Sequence, residues 1–199
     1  MTCSFELEEK LINQKYFRVC GIDEVGRGSL FGPVVSGAVI LDPNRINTEI
    51  DDSKKLSPRK RIELAKYIYR HAFAFSIGWC WNDDIDEINI LNATKISMKK
   101  AMMSLQILPD YVLMDGMIPD FLNVKGEGVI KGDSKSISIA AASIIAKVFR
   151  DDLMKQFSKV FVEYGFERNN GYPTKEHISM INNYGNTCFH RRSFKIKNG

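Results

Sequence analysis

Three short apolar runs in this chain each lead into acid. Arg18 to Ile22 (RVCGI) runs into Asp23-Glu24, Tyr111 to Met114 (YVLM) into Asp115, and Gly128 to Lys131 (GVIK) into Asp133. β-Branched and aromatic runs of this length read as buried strands, and in α/β sheets functional groups gather where strands end and several segments converge. The pattern therefore predicts a sheet that brings four carboxylates to one small site. Like charges a few ångströms apart repel strongly away from water, so such a cluster needs compensation, and divalent cations supply it. An all-oxygen set without His or Cys suits hard ions such as Mg²⁺ or Mn²⁺ rather than zinc. Taken singly, each acid also has a structural reading as a turn or cap residue, and Asp133 can cap a helix starting at Ser134.

The rest of the chain fits one mixed α/β unit. Val34 to Leu41 (VVSGAVIL) follows a turn rich in Gly26, Gly28, Gly32 and Pro33 and predicts a hairpin with the first strand; Ala72 to Trp81 predicts a third strand. Ser57 and Pro58 open a helix to Tyr69, apolar spacing predicts helices over Asn89–Leu105 and Ser134–Phe157, and a late helix runs from Thr174 to Asn183. Ala140, Ala141, Ala142 and Ser143 allow the third of these to pack closely on the sheet. Trp79, Trp81 and Met102-Met103 read as core, His177 as a surface or capping residue, and Asp151 as a salt-bridge partner. The whole chain, 1–199, reads as a single domain, with about 160–199 forming a C-terminal part.

Charge sharpens the site. Against 28 Lys and Arg stand 24 Asp and Glu, which disfavours a purely electrostatic polyanion binder and leaves the question of where each sign is gathered. Gly26-Arg27-Gly28 offers backbone N–H groups beside a guanidinium, directly after Asp23-Glu24. Ser53-Lys54-Lys55 precedes a helix N-terminus, where charge and backbone together grip phosphate. Lys131 and Lys135 flank Asp133, and His190-Arg191-Arg192 lies near the end. Four scattered cysteines, an acidic N-terminus and no long apolar run predict a soluble cytoplasmic protein with reduced thiols and no membrane contact.

Several segments together carry a resemblance. Gly21-Ile22-Asp23-Glu24-Val25-Gly26-Arg27-Gly28, Asp52-Ser53-Lys54-Lys55-Leu56, Met114-Asp115-Gly116, the run from Lys131 to Asp151, Gly171-Tyr172-Pro173-Thr174 and His190-Arg191-Arg192-Ser193-Phe194 resemble bacterial ribonuclease HII, in this order, from about Phe17 to Phe194. The resemblance implies a ribonuclease H-like fold: a central mixed five-stranded sheet flanked by helices, with a small helical C-terminal extension beside the nucleic-acid groove. It implies cleavage of RNA in RNA–DNA hybrids and at ribonucleotides embedded in duplex DNA, by a monomer with two divalent cations, Mn²⁺ or Mg²⁺. The family's four acids fall on Asp23, Glu24, Asp115 and Asp133, with Asp23 and Asp115 as the principal ligands. Its sugar-reading segments fall on Gly26, Arg27, Gly28 and Tyr172, with Ser53 and Lys54 as further substrate contacts. One departure is Asn169-Asn170, where many relatives have His or Lys. A non-catalytic binder would lack one of the four acids, and none is missing; a DNA-only nuclease would not need Gly26-Arg27-Gly28 and Tyr172 to read a 2′-hydroxyl.

Overall fold

A computed structural model describes residues 3–195 of the chain. Helix α1 (Glu6–Asn13) precedes strand β1 (Val19–Val25), and β2 (Val34–Ile40) returns antiparallel with Val25 opposite Val35. Helix α2 (Pro58–His71) starts where the sequence places it, because the Ser57 hydroxyl accepts from the Lys60 N–H and Pro58 opens the first turn. Strand β3 (Ala74–Cys80), helix α3 (Asn82–Met103), β4 (Tyr111–Asp115) and β5 (Gly126–Val129) follow, then helices α4 (Ile137–Val160), α5 (Phe166–Asn169) and α6 (Lys175–Tyr184). The sheet order is β3-β2-β1-β4-β5, with β1, β2 and β3 antiparallel and β4 and β5 parallel to β1. This is the mixed five-stranded sheet, flanked by helices, that the resemblance implies.

The sheet is covered on both faces. Cys20, Ile22, Ala38, Ile40 and Met114 pack under Met98, Ala101 and Met102 of α3. Val39, with Leu64 and Ile68 of α2, meets Ala140, Ala141, Ile144 and Ile145 of α4 on the other face. Each such aliphatic side chain stabilises the fold by about 1.5–3 kcal/mol on burial. Close approach demands small residues: a Cβ at Gly21 would strike the backbone of Ser138 and Ile139, and one at Gly37 the carbonyl of Ala142. The small-residue stretch of α4 thus lies directly on β1 and β2.

Several expectations are corrected. Strand β1 continues through Asp23 and Glu24 rather than ending before them. Strand β5 lies two residues earlier than the apolar run suggests, and Ile130 is 75% exposed, because the chain leaves the sheet at Val129. Helix α3 begins at Asn82, seven residues early, and bends at Asn89, whose φ is 67°. Asp133 does not cap α4; it sits in the single turn Gly132–Ser134, and Ser136 caps the helix by accepting from the Ile139 N–H. Trp79 and Met103 lie partly in water rather than in the core, 41% and 59% exposed: Trp79 is on the less covered face of the edge strand β3, and Met103 ends α3. Trp79 stacks on Phe149 at 5.8 Å. His177 is fully buried rather than exposed. Among the described residues no helix is long and apolar enough to cross a membrane, and the four cysteines form no disulfide.

Candidate active site

The sheet register sets the carboxylates side by side. Ile22 of β1 pairs with Met114 of β4, so the next residues, Asp23 and Asp115, are neighbours on one face. That face looks toward α4, whose Ser143 hydroxyl lies beside the Asp23 carboxyl and favours its charged form. Glu24 follows on β1, and its N–H donates to Asp23 Oδ1 at 2.7 Å. The turn after β5 completes the group: the Gly132 N–H donates to Asp115 Oδ1 at 2.6 Å, which draws Asp133 alongside. All four predicted acids therefore lie at one end of the sheet.

Their electrostatics are those of a cation site. Asp23 is 4% exposed and Asp133 6%. Burial pushes the Asp23 carboxyl well above the usual range, and the charges of Glu24 and Asp115 push it further. Glu24 is raised by burial against the opposing pull of Arg27, and Asp115 by burial and the charge of Asp133. Two cations balance the rim: Arg27 Nη1 bonds Glu24 Oε1 at 3.2 Å, and Lys54 Nζ bonds Asp133 Oδ2 at 3.0 Å. Among the described residues Asp23 and Asp115 have no cationic partner within salt-bridge distance. As the side chains stand, no three His, Cys, Asp or Glu groups among the described residues are gathered closely enough to hold an ion. Asp115 is turned to Gly132 and Asp133 to Lys54. The donor set nonetheless suits a hard divalent ion, because it is all oxygen, largely buried and short of positive charge at its centre.

The substrate-contact candidates surround this group. Ser53 is buried and shares a 2.9 Å hydrogen bond with Ser143, the residue that steadies Asp23. Lys54 leaves its side chain 77% exposed while its tip reaches Asp133. Gly26 has a φ of 90°, and a Cβ there would collide with the Arg150 guanidinium; at Gly28 a Cβ would meet nothing within 4 Å. Tyr172 is half-buried, its ring centre 5.5 Å from the Arg150 guanidinium carbon. Its carbonyl accepts from His177 Nδ1 at 3.0 Å. His190 Nδ1 accepts from the Thr187 N–H, so His190 carries its proton on Nε2 and donates it to His177 Nε2 at 3.1 Å. Asn169 plays a structural part: its amide donates to the Tyr164 carbonyl and accepts from the Gly171 N–H, both at 2.7 Å. Asp151 pairs with Lys147 at 2.6 Å, as a salt-bridge partner should.

Sequence reasoning missed Ser143, Arg150, His177 and the buried Arg191. Arg191 donates to the carbonyls of Gly32 and Arg27, each at 2.9 Å. Ser143 is hidden in a run of alanines, and nothing local marks the others for burial.

Known proteins resemble this chain in sequence and fold. A family model described as Ribonuclease HII matches residues 20–197. The ribonuclease HII of Caldicellulosiruptor saccharolyticus is 50% identical over 195 residues, covering 98% of this chain and 94% of its own length. Among solved structures, the ribonuclease H2 of Pyrococcus horikoshii OT3 aligns with a TM-score of 0.74 at 26% identity, over 90% of this chain and 94% of that one. Bst-RNase HIII, solved in complex with Mn²⁺, aligns at 0.61 and 20% identity over 85% of this chain and 63% of that one, a likeness of fold. The full-length match, the ribonuclease H-like sheet and the four carboxylates at its end make this chain a member of the ribonuclease HII family.

Proposed function

We propose that this protein is a divalent-metal-dependent ribonuclease H that hydrolyses the RNA strand of RNA–DNA hybrids and cuts 5′ of ribonucleotides embedded in duplex DNA. The products carry 3′-hydroxyl and 5′-phosphate ends, and the work is removal of ribonucleotides during replication and repair, by a cytoplasmic monomer. One observation carries the reading: Asp23, Glu24 and Asp115 are all raised by burial, with further repulsion from neighbouring acids, and the centre of the group lacks a cation. Asp23, Asp115, Glu24 and Asp133 would hold two hard ions, Mn²⁺ or Mg²⁺, which when bound activate the attacking water and stabilise the leaving 3′-oxygen. The Mn²⁺ held by Bst-RNase HIII, on the same fold, agrees with that choice.

The chain's own residues do the rest. Lys54 and Arg27 stand at the rim, exposed and already turned toward carboxylates, where they can grip the phosphates beside the cut. Gly28 has open space where a side chain would stand, so backbone groups of Gly26-Arg27-Gly28 can approach a ribose 2′-hydroxyl. The Tyr172 ring, presented from the turn before Pro173, packs on the sugar at the RNA-to-DNA junction. The C-terminal part, from about residue 160, flanks the groove and carries Tyr172. The test is incubation of the protein with a DNA duplex containing one ribonucleotide, beside an all-DNA duplex, with Mn²⁺, Mg²⁺ or chelator. Metal-dependent cutting of the first duplex alone is expected. Equal cutting of both would refute ribose recognition, and no cutting of either would refute the enzyme.

A further inference from the structure

Among the described residues the largest fully buried side chain is a charged one, Arg150. It lies on α4, and among the described residues it pairs with no carboxylate; its neighbour Asp151 is taken by Lys147 and Arg61. Every acceptor it uses is neutral. Its Nε donates to the Pro33 carbonyl at 3.2 Å, and its Nη2 to the Phe31 carbonyl at 3.0 Å and to Ser29 Oγ at 2.8 Å. Its Nη1 reaches the other way, to the Asn170 carbonyl at 2.9 Å. The first three acceptors belong to the loop that begins Gly26-Arg27-Gly28, and the fourth to the turn that presents Tyr172.

Two further contacts of the guanidinium point the same way. A Cβ at Gly26 would lie 2.9 Å from Arg150 Cδ and 3.0 Å from Cζ, so the loop backbone rests on the guanidinium. The Tyr172 ring lies 5.5 Å from the same carbon. Directly between the two segments, the Leu30 N–H donates to the Gly171 carbonyl at 2.8 Å. A buried guanidinium is costly to desolvate, and an apolar side chain of similar volume often serves stability as well or better. What an apolar side chain cannot do is hold four acceptors from two segments in one planar fork.

We propose that Arg150 is a positioning residue for ribose selection, locking the Gly26–Gly28 loop and Tyr172 into one unit. The inference rests on the ribonuclease reading above and deepens it. Arg150 acts through Tyr172 and the loop, so its loss lowers turnover rather than duplex binding.

Arg150→Lys keeps the charge but offers one point donor in place of the fork. On a duplex with a single ribonucleotide it is expected to lower kcat by at least about tenfold with KM within about threefold, about 1.4 kcal/mol in the bound complex. In a Tyr172→Ala background the same change should add less than about twofold, since residues acting as one unit are non-additive. Hydrogen exchange gives a readout independent of activity: the amides of Leu30 and Tyr172 should lose protection together, while those of β1 and β4 hold. Should Arg150→Lys fail to fold, Ser29→Ala removes one of the two Nη2 acceptors and should give a smaller kcat loss that again vanishes with Tyr172→Ala. A folded Arg150→Lys with full kcat, multiplicative losses in the double variant, or unchanged exchange at both amides would overturn the proposal. A wild-type protein that cuts nothing would instead overturn the ribonuclease reading, and the exchange measurement would still decide the role of Arg150.

Discussion

Replacing Gly21 with alanine tests how the sheet delivers the site. Gly21 stands in β1 two residues before Asp23, and an added methyl would run into the backbone of Ser138 and Ile139 on α4. The obstruction is helix backbone, not a flexible side-chain tip that can swing aside. Carbon atoms pack at about 3.5–4 Å, so α4 would have to retreat by roughly 1.5 Å along the contact it makes with β1 and β2. Overpacking of this kind costs about 1–3 kcal/mol, and with no side chain able to yield we place Gly21→Ala at the upper end, about 3 kcal/mol. For a chain of this size that lowers Tm by about 6–12 °C. The same retreat carries Ser143 away from Asp23, so cleavage should fall even well below the new Tm. Thermal unfolding by circular dichroism, with a cleavage assay at 20 °C or more below the midpoint, reads both effects. A Tm within about 2 °C of wild type would refute the contact between β1 and α4.

Other perturbations separate charge from packing. Lys54→Met removes a largely exposed partner of Asp133, so stability should change by less than about 1 kcal/mol. Cleavage should fall at least about tenfold if Lys54 grips phosphate, as a steady-state comparison of the two proteins will show; unchanged kcat/KM removes it from the substrate contacts. His190 is held down to about 4 by burial and by His177. Below its ordinary 6.5 the unfolded chain takes up a proton that the folded chain refuses, so this contribution is present above pH 6.5 and is lost as pH falls to about 4. The full gap corresponds to about 3 kcal/mol. Asp23, Glu24 and Asp115, all raised, act in the opposite sense in acid, because the folded state takes their protons first. Urea unfolding of wild type and His190→Asn between pH 4 and 7.5 isolates the histidine: wild type should lose stability relative to the variant as pH falls, and parallel curves would contradict the buried neutral pair.

The acids were legible because apolar runs stop at them; Asp115 ends β4, whereas Asp23 is buried inside β1, which runs two residues further. Strand β5 was harder to place: Gly126-Glu127-Gly128-Val129 has no alternation, and the apolar Ile130 that suggests a strand points into water. Helix α1 left a faint signal in Leu7 and Leu11, four residues apart beneath three acids in the first turn. Its Glu8 is buried, bonding Ser136 Oγ at 2.5 Å and the Ser138 N–H at 2.9 Å at the start of α4. No local pattern announces such a contact. Arg150, Arg191, His177 and His190 share that limit, because their burial depends on carbonyls and rings supplied by distant loops. The residues proposed to touch substrate could be named from the sequence, Tyr172 through the resemblance alone, and those that hold them in place could not.

The central claim is that the four carboxylates at the end of the sheet act as one cleavage centre. Single-turnover cutting of a duplex with one ribonucleotide, at a fixed Mn²⁺ concentration, tests it directly with wild type, Asp23→Asn, Glu24→Gln, Asp115→Asn and Asp133→Asn. Each variant should bind the duplex yet cut at least about a hundredfold more slowly, about 2.7 kcal/mol of lost transition-state stabilisation. A folded variant of Asp23 or Asp115 that cuts at the wild-type rate would contradict the account.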